Sequence, residues 1–565
     1  MAKKNQINKE LVPDDSVAML GFFERHSDMI ASAIILLTML CGLMVFNMRI
    51  DEGGDDSTYI CRAIDMVDMG TYPSYQGPLY PIFLSLFIAL FGANIAILKC
   101  TSFALILTSQ YLFYRILKNE VNVRLVFAVM TMVGVSSWYM FFASMTYSEA
   151  FYIVIEYLFF GALLRYENSQ STSTIKTVLS PLPVGALVVV AFLVRTVGFG
   201  FGIVGILYLC LRRKFAKAAM LLGSIALVLC VWYGLRTVIW GDVPPDNRQI
   251  ESLMQVHPYQ PEDGMETLSG YVGRFFDNSQ LYVSKHLMRI VGFLKNEDRE
   301  TSALLTFVVY AIFAFGTFKA WKHNRSVLML AVSSAVMLGI TFVVLQPLWD
   351  QHRLIIPYVA GALVVIMYGI YHLFKMVVGS KAHYMALSVV LICCVLSMAQ
   401  TMAKSDWNAL RNNLKGDMIY GYTPDWYNYL SICQVVYDNL PADSYVACRK
   451  PNMARIYSGG HKFFGIYNFN TEDPDELIDN LRSHNVSHII VASLRRDPLV
   501  PGAGVINTIH RYMHFVTEKY PNAFVLAGVC GDNHQNTDEP AYLFAVDYSY
   551  VDNVRRKAVE GGDEQ

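Results

Sequence analysis

Four carboxylates fall within six residues in Asp51-Glu52-Gly53-Gly54-Asp55-Asp56, and Ser57-Thr58-Tyr59 follows directly. Such a run supports three chemistries: a solvated acidic loop, a set of oxygen ligands for a divalent cation, or a general base. Pattern alone leaves all three open. A second acid, Glu149, stands in Met145-Thr146-Tyr147-Ser148-Glu149, with Glu156 seven residues on. On a helix that spacing keeps both acids on one face, about 10 Å apart along the axis. Ionisable groups inside an apolar helix are costly and tend to line cavities, although a polar contact with a neighbouring helix also explains Glu156. Arg195, Arg236 and Arg353 each stand at the edge of an apolar run, the last in Trp349-Asp350-Gln351-His352-Arg353. Arginines so placed either snorkel to lipid headgroups or clamp a phosphate with their planar fork.

The elements that carry these residues are membrane spans. Of 565 residues 54% are hydrophobic and 16% charged, where soluble domains have about 25% charged. The apolar residues form long uncharged runs, among them 29–46, 125–148, 218–235, 326–349 and 382–403. Each approaches or exceeds the ~20 residues that cross a hydrocarbon core, and inside lipid such runs must be helices. The fold class is therefore an α-helical polytopic membrane protein. Residues 1–25 are polar, so no cleavable signal is expected ahead of the first span.

Lys and Arg set the orientation. Lys3, Lys4, Lys9 and Arg25 precede the first span and place the tail, 1–27, in the cytoplasm. One alternating set of loops is basic: Arg115, Lys118 and Arg124; Arg165 and Lys176; Arg212 to Lys217; Lys319, Lys322 and Arg325; Lys375 and Lys381. The other set holds little beyond Arg195 and Arg353. For the basic set to share one side, 77–114 must cross an odd number of times. Residues 77–91 are therefore expected as a helix at the outer interface, with 94–116 as the second span. This gives about eleven spans, near 28–47, 94–116, 124–143, 147–165, 176–194, 197–211, 217–236, 302–319, 326–345, 354–374 and 383–402. The membrane domain is then 28–403, with external loops at 48–93 and 237–300. The N-terminus is cytoplasmic, and the chain beyond the last span is extracytoplasmic.

From 404 to 565 the composition becomes that of a soluble α/β domain. Trp426 to Leu440 has helical spacing, Asp473-Pro474 signals a helix start, and β-rich runs stand at 445–448, 488–492, 524–529 and 542–546. Cys433, Cys448 and Cys530 lie here, but three cysteines define no bridge. A net charge of −1 gives no argument for nucleic acid. The ten cysteines show no zinc-ligand spacing.

The order and sidedness of these motifs resemble the GT-C superfamily of membrane glycosyltransferases. The likeness is to the dolichyl- or undecaprenyl-phosphate-sugar-dependent group, which includes protein mannosyltransferases and the aminoarabinose transferase of lipid A. An Asp-Glu-x-x-Tyr-like motif opens that group's first external loop, and here Asp55, Asp56 and Tyr59 match it. Gly70, Tyr72 and Pro73 match the following Gly-x-Tyr-Pro, and Pro78, Leu79 and Tyr80, running on to Phe91-Gly92, match the Pro-Leu-Tyr segment. The group's second acid falls on Glu149. Further echoes are Arg195 to Gly198, Trp232 to Arg236 ahead of Trp240-Gly241, and His352 to Pro357. Two departures stand out: Asp56 replaces Glu, and Gln76-Gly77-Pro78 stands where Lys-Pro-Pro is usual. The resemblance thus carries over neither a lipid A acceptor nor a phosphate-binding lysine at that place.

The resemblance implies transfer of a sugar from a polyprenyl phosphate to a glycan, lipid or protein acceptor, outside the plasma (inner) membrane and with inversion. It makes Asp55 the general base, Asp56 and Glu149 the acids that orient acceptor or metal, and Arg353, Arg236 and Arg195 the phosphate ligands. Tyr59, Tyr80 and His352 would position substrate. A divalent metal on Asp55 and Glu149 stays open, and no other cofactor is expected. The loop 237–300, with His257, Tyr259 and His286, would close over the donor. Two rival classes remain: a lipid-linked sugar flippase or other secondary transporter, and a non-catalytic scaffold of envelope assembly. No internal repeat of the transporter kind is visible.

Overall fold

Helices occupy all eleven expected spans in the computed structural model. It describes residues 21–562 except 171–172, 245, 247, 259, 295–299, 442, 497–503 and 532–538; Lys3, Lys4, Lys9 and Tyr259 lie outside the described residues. Among the described residues seven stretches are long and apolar enough to cross a membrane, or up to eight counting one bent pair, and one of the seven, Ile356–Ala403, contains two of the expected spans. The rest differ for physical reasons. Val123–Gly134 and Ser137–Ala143 meet at a 68° bend, and Thr196–Leu211 is short. Ser148–Asn168 carries Glu149, Glu156, Arg165 and Glu167. Ile356–Ala403, at 48 residues, would measure about 72 Å as one helix, more than twice the core. It is two helices, Ile356–Val378 and Ala382–Ala403, parted at Gly379 with φ 59°. The expected interfacial segment is a separate helix, Leu79–Phe91, whose 13 residues span about 20 Å and are too short to cross.

The chain divides into two compact units, one of residues up to Phe46 with Asp65–Trp407, the other of Asn47–Ile64 with Asn408–Gln565. In the first unit the spans pack through small residues. A Cβ on Gly316 would lie 2.4 Å from the Val365 carbonyl, and one on Gly369 2.6 Å from that of Ile312. Only glycine lets these two backbones approach so closely.

The basic loops meet at one end of this unit. Glu167, buried, binds Arg212 at 2.9 Å, Lys214 at 3.3 Å and the Tyr208 hydroxyl at 2.7 Å. Arg325 pairs with Glu120 at 3.0 Å, and Lys118 with Asp28 at 2.8 Å. Lys217 donates to the carbonyls of Tyr166 and Ser169, both at 2.7 Å, and so caps the C-terminus of Ser148–Asn168. The loops that alternate in the sequence thus share one end, as a common side requires.

The second unit holds a five-stranded sheet ordered β2-β1-β3-β7-β6, with β1 Tyr445–Cys448, β2 Phe463–Gly465, β3 Val486–Ala492, β6 Phe524–Cys530 and β7 Ala541–Val546. The pair β4 Leu494–Arg495 and β5 Val505–Ile506 stands apart. Strands β2, β1 and β3 run parallel, and β7 is antiparallel to both β3 and β6. Helix Pro474–Ser483 begins where the sequence signals it, Asp473 accepting from the Asp475 amide at 2.8 Å. Ile478, Leu481, Val486, Ile489, Val516 and Val551 form part of the core. Cys433, Cys448 and Cys530 are free thiols.

Candidate active site

In the second unit the acidic run is a tight turn feeding a helix. Gly54, at φ 89°, adopts a conformation that only glycine takes readily. Its carbonyl accepts from the hydroxyls of Ser57 and Thr58, both at 2.8 Å, as helix Asp55–Met69 begins. Asp56 is fully buried and accepts from the backbone amides of Ser57 at 2.7 Å and Asp51 at 3.0 Å. Its carboxylate builds the turn. Asp55, half-buried on the first helical turn, is the acid presented outward of the two.

The turn is anchored by side chains far along the chain. Asn413 accepts from the Met48 amide at 3.1 Å, and the Tyr422 hydroxyl donates to the Ile50 carbonyl at 2.6 Å. Asn452 donates to Thr58 at 3.0 Å, and the Lys450 ammonium donates to the Glu52 carbonyl at 2.6 Å. Burial and the neighbouring Arg449 lower the Lys450 pKa, against the pull of Asp51, Glu52 and Asp55. Lys450 is thus a cation beside the acidic run that no local motif announces. Tyr59, expected to position substrate, is buried.

In the first unit Glu149, on the first turn of Ser148–Asn168, pairs with Arg195 at 2.5 Å. Arg195 follows helix Leu182–Val194, also reaches Ser148 at 3.4 Å, and lies over the Tyr152 ring. Glu156, deeper and buried, has one carboxylate oxygen without a hydrogen bond. Tyr80 is buried beside Phe83 and Phe151. Arg236 bonds the Val243 carbonyl and lies 5.1 Å over Tyr72, which packs against Trp240.

Arg353 and His352 belong to a larger basic cluster in the same unit. Helix Leu268–Ser279 continues through a π-helical stretch, Gln280–His286, into Leu287–Ile290. Wide turns of this kind recur at functional sites. Lys285 and His286 both bind Asp350, at 2.5 and 2.6 Å. Arg289, 2% exposed, lies 5.3 Å over the Trp138 ring, and Lys404 lies 3.1 Å over it. The His352 ring meets Trp138 at 5.1 Å, and Arg353 stands over Tyr147 at 4.8 Å.

The end of the Arg289 helix is pinned: Gln400 takes the Trp138 indole N–H at 3.2 Å and donates to the Gly292 carbonyl at 2.7 Å. A Cβ on Gly292 would lie 2.6 Å from the Ser397 amide nitrogen. The signal for this cluster was present in the sequence as Lys285, His286 and Arg289, spaced to share a helix face, but Asp350, which Lys285 and His286 both bind, lies 65 and 64 residues away from them.

Burial, reinforced by His286, Lys404, Arg289 and Arg353, pushes His352 down to about 3 from 6.5. Burial lowers His286 too, against Asp350. Burial alone would raise Asp350, but the hydrogen bonds from His286 and Lys285 outweigh it and hold the carboxyl well below 3.8. All three pKa values are depressed on folding, so each contributes stability that is lost as pH falls. For His352 the loss begins near pH 6.5, where the unfolded ring takes up its proton, and continues to about 3. Asp350 adds to it only below 3.8. The midpoint of thermal unfolding in detergent is therefore expected to drop steadily below pH 6.5. His352→Asn should flatten that drop, and an unchanged profile in the variant would count against the assignment.

Among the described residues no three His, Cys, Asp or Glu side chains converge as metal ligands. Asp56 accepts from two backbone amides and Glu149 pairs with Arg195.

Solved structures share this architecture. The chain is similar to ArnT from Cupriavidus metallidurans, in the apo state and bound to undecaprenyl phosphate. In both cases the TM-score is 0.52 and the identity 11%, over 92% of this chain and 98% of that one. It is also similar to the oligosaccharyltransferase of Archaeoglobus fulgidus, solved tethered with an acceptor peptide containing the NVT sequon. There the TM-score is 0.51 and the identity 11%, over 94% of this chain and 75% of that one. Both are GT-C proteins, and the chain has the GT-C fold. Residues 351–431 match a family model described as a protein of unknown function (DUF2809). No curated protein matches.

Proposed function

We propose that this protein is a membrane glycosyltransferase that moves a sugar from a polyprenyl-phosphate donor to an acceptor hydroxyl on the extracytoplasmic side, with inversion. The observation that carries this reading is the basic cluster around Trp138 and His352: Arg289 and Lys404 lie 5.3 and 3.1 Å over the Trp138 ring, the His352 ring meets that indole at 5.1 Å, and Arg353 follows His352. A departing lipid phosphate needs such fixed positive charge. The GT-C fold supports the reading, as does the undecaprenyl phosphate bound by ArnT.

Asp55 is assigned the proton of the acceptor hydroxyl. Asp56 shapes the turn that presents Asp55, and Glu149 with Arg195 orients the acceptor. Phosphate stabilisation is assigned to Arg353 with Arg289, Lys285 and Lys404. Arg195 and Arg236 are further candidates; Glu149 engages the first and the Val243 carbonyl the second, as Asp350 engages Lys285. Native mass spectrometry of the purified protein tests the donor half: it should retain undecaprenyl phosphate and release undecaprenol. Equal retention of the two lipids would contradict a phosphate site.

The proposed orientation puts the N-terminus and the basic loops in the cytoplasm of a cell with this protein in its inner membrane, and residues 404–565 outside. The convergence of Glu120, Glu167, Arg212 and Arg325 at one end supports it. A membrane-impermeant maleimide should label Gln351→Cys in intact cells and leave Arg213→Cys unlabelled, in a background freed of native cysteines. The reverse pattern would overturn the orientation.

A further inference from the structure

A groove in the C-terminal unit has chemistry that neither the acidic run nor the basic cluster uses. It lies beyond the carboxyl end of β2, where the chain runs through 466–473 into helix Pro474–Ser483. Its volume is about 340 Å³, at the small end of the range for small-molecule sites.

The helix Pro474–Ser483 has three distinct faces. Leu477, Ile478 and Leu481 enter the core. Asp475 and Asp479 bind Arg555, both at 2.8 Å, and Arg482 binds Asp552 at 2.7 Å. The third face, Glu476 and Asn480 at i and i+4, opens into the groove opposite Asn468 and Asn470 of the loop. All four side chains are exposed. Among the described residues none of the four makes a hydrogen bond or ion pair through its side chain. The contrast within one helix, one polar face tied down and the other left with an unused carboxylate and an unused amide, marks the second as available to a ligand.

The remaining walls are aromatic. Tyr512 is buried at the base, its hydroxyl donating to the Leu477 carbonyl at 2.5 Å, and Phe469 stands edge-on to it at 5.3 Å. No Lys or Arg is among the lining side chains, and Arg511 lies 5.4 Å over one face of the Phe469 ring, leaving the other face for a ligand; the Glu476 carboxylate disfavours anions. Side-chain amides offer donor and acceptor together, matching neighbouring hydroxyls, and aromatic rings suit the apolar face of a sugar.

We infer that this groove is a carbohydrate-binding site that takes a neutral sugar unit of an oligosaccharide, its hydroxyls on Asn468, Asn470, Asn480 and Glu476 and its apolar face on Phe469. The site does not depend on the transferase reading, because binding is measured without any donor lipid. Full-length protein in lipid nanodiscs is applied to a glycan array, and the strongest-binding oligosaccharide is then titrated by saturation-transfer NMR. Asn480→Ala, on the helix, and Asn468→Ala, on the loop, should each weaken binding roughly tenfold. Asn522→Ala, in an exposed turn elsewhere in this unit, should bind as the parent does. Both test positions are exposed, and an unchanged unfolding midpoint verifies the fold of each variant. Absence of any bound glycan, equal loss in all three variants, or preference for a peptide library over glycans would overturn the assignment.

Discussion

Asparagine at position 55 is expected to lower sugar transfer by roughly a thousandfold, the usual worth of a positioned general base. Asn keeps the shape of the side chain and its place on the first turn of helix Asp55–Met69, but it cannot accept the acceptor's proton. The fold and donor binding should therefore survive. Its neighbour gives the contrast. Asp56 is fully buried and receives two backbone amides, so Asp56→Asn should instead destabilise the protein by about 2 kcal/mol, as expected when a buried acceptor is weakened. Transfer rates at saturating donor, set beside thermal unfolding midpoints, separate the two roles. Were Asp55→Asn to keep parental turnover, the base would lie elsewhere.

Removing the guanidinium of Arg289 is expected to cut kcat about a hundredfold, since fixed charge on a leaving oxyanion is worth that much per group. Arg289→Lys should recover part of the loss, because the charge persists while the planar fork over Trp138 does not. Arg236→Ala should cost less, because Arg236 is already held by the Val243 carbonyl and the Tyr72 ring. A purely structural role for Arg289 would lower the unfolding midpoint of Arg289→Ala and leave kcat per folded molecule unchanged. The pH profile supplies an independent readout: deleting a cation near His352 relieves part of the pressure on its pKa, so the acid-side loss of stability should shift.

The membrane architecture was legible because its signals are local. Uncharged runs near 20 residues long and alternating basic loops depend on neighbours in the chain. The same holds for the helix after Asp473-Pro474; the interfacial helix, Leu79–Phe91 in the structure, was instead inferred from the alternation of basic loops along the chain. Bends and breaks were less visible: the 68° kink after Gly134 and the π-helical stretch at Gln280 depend on packing rather than composition.

The site was legible in residue types and poorly legible in partners. Asp55 read as a base and Asp56 as an orienting acid; that Asp56 is fully buried and accepts from two backbone amides is a property of the folded turn. Lys450 escaped notice because it meets the Glu52 carbonyl across 398 residues, and Asn413 meets Met48 across 365. Arg195 and Glu149 read as separate charges, because sequence does not show which charges pair; the structure brings them to 2.5 Å.

The most direct test of the central proposal is product formation by purified protein. Supplied with a radiolabelled sugar on undecaprenyl phosphate and an envelope extract as acceptor, the parent protein should release free lipid phosphate and transfer label to the acceptor. Asp55→Asn should leave the donor intact although it still binds. Donor that stays intact with the parent protein, across a panel of lipid-linked sugars it demonstrably binds, would contradict a transferase and favour a carrier of lipid-linked sugars.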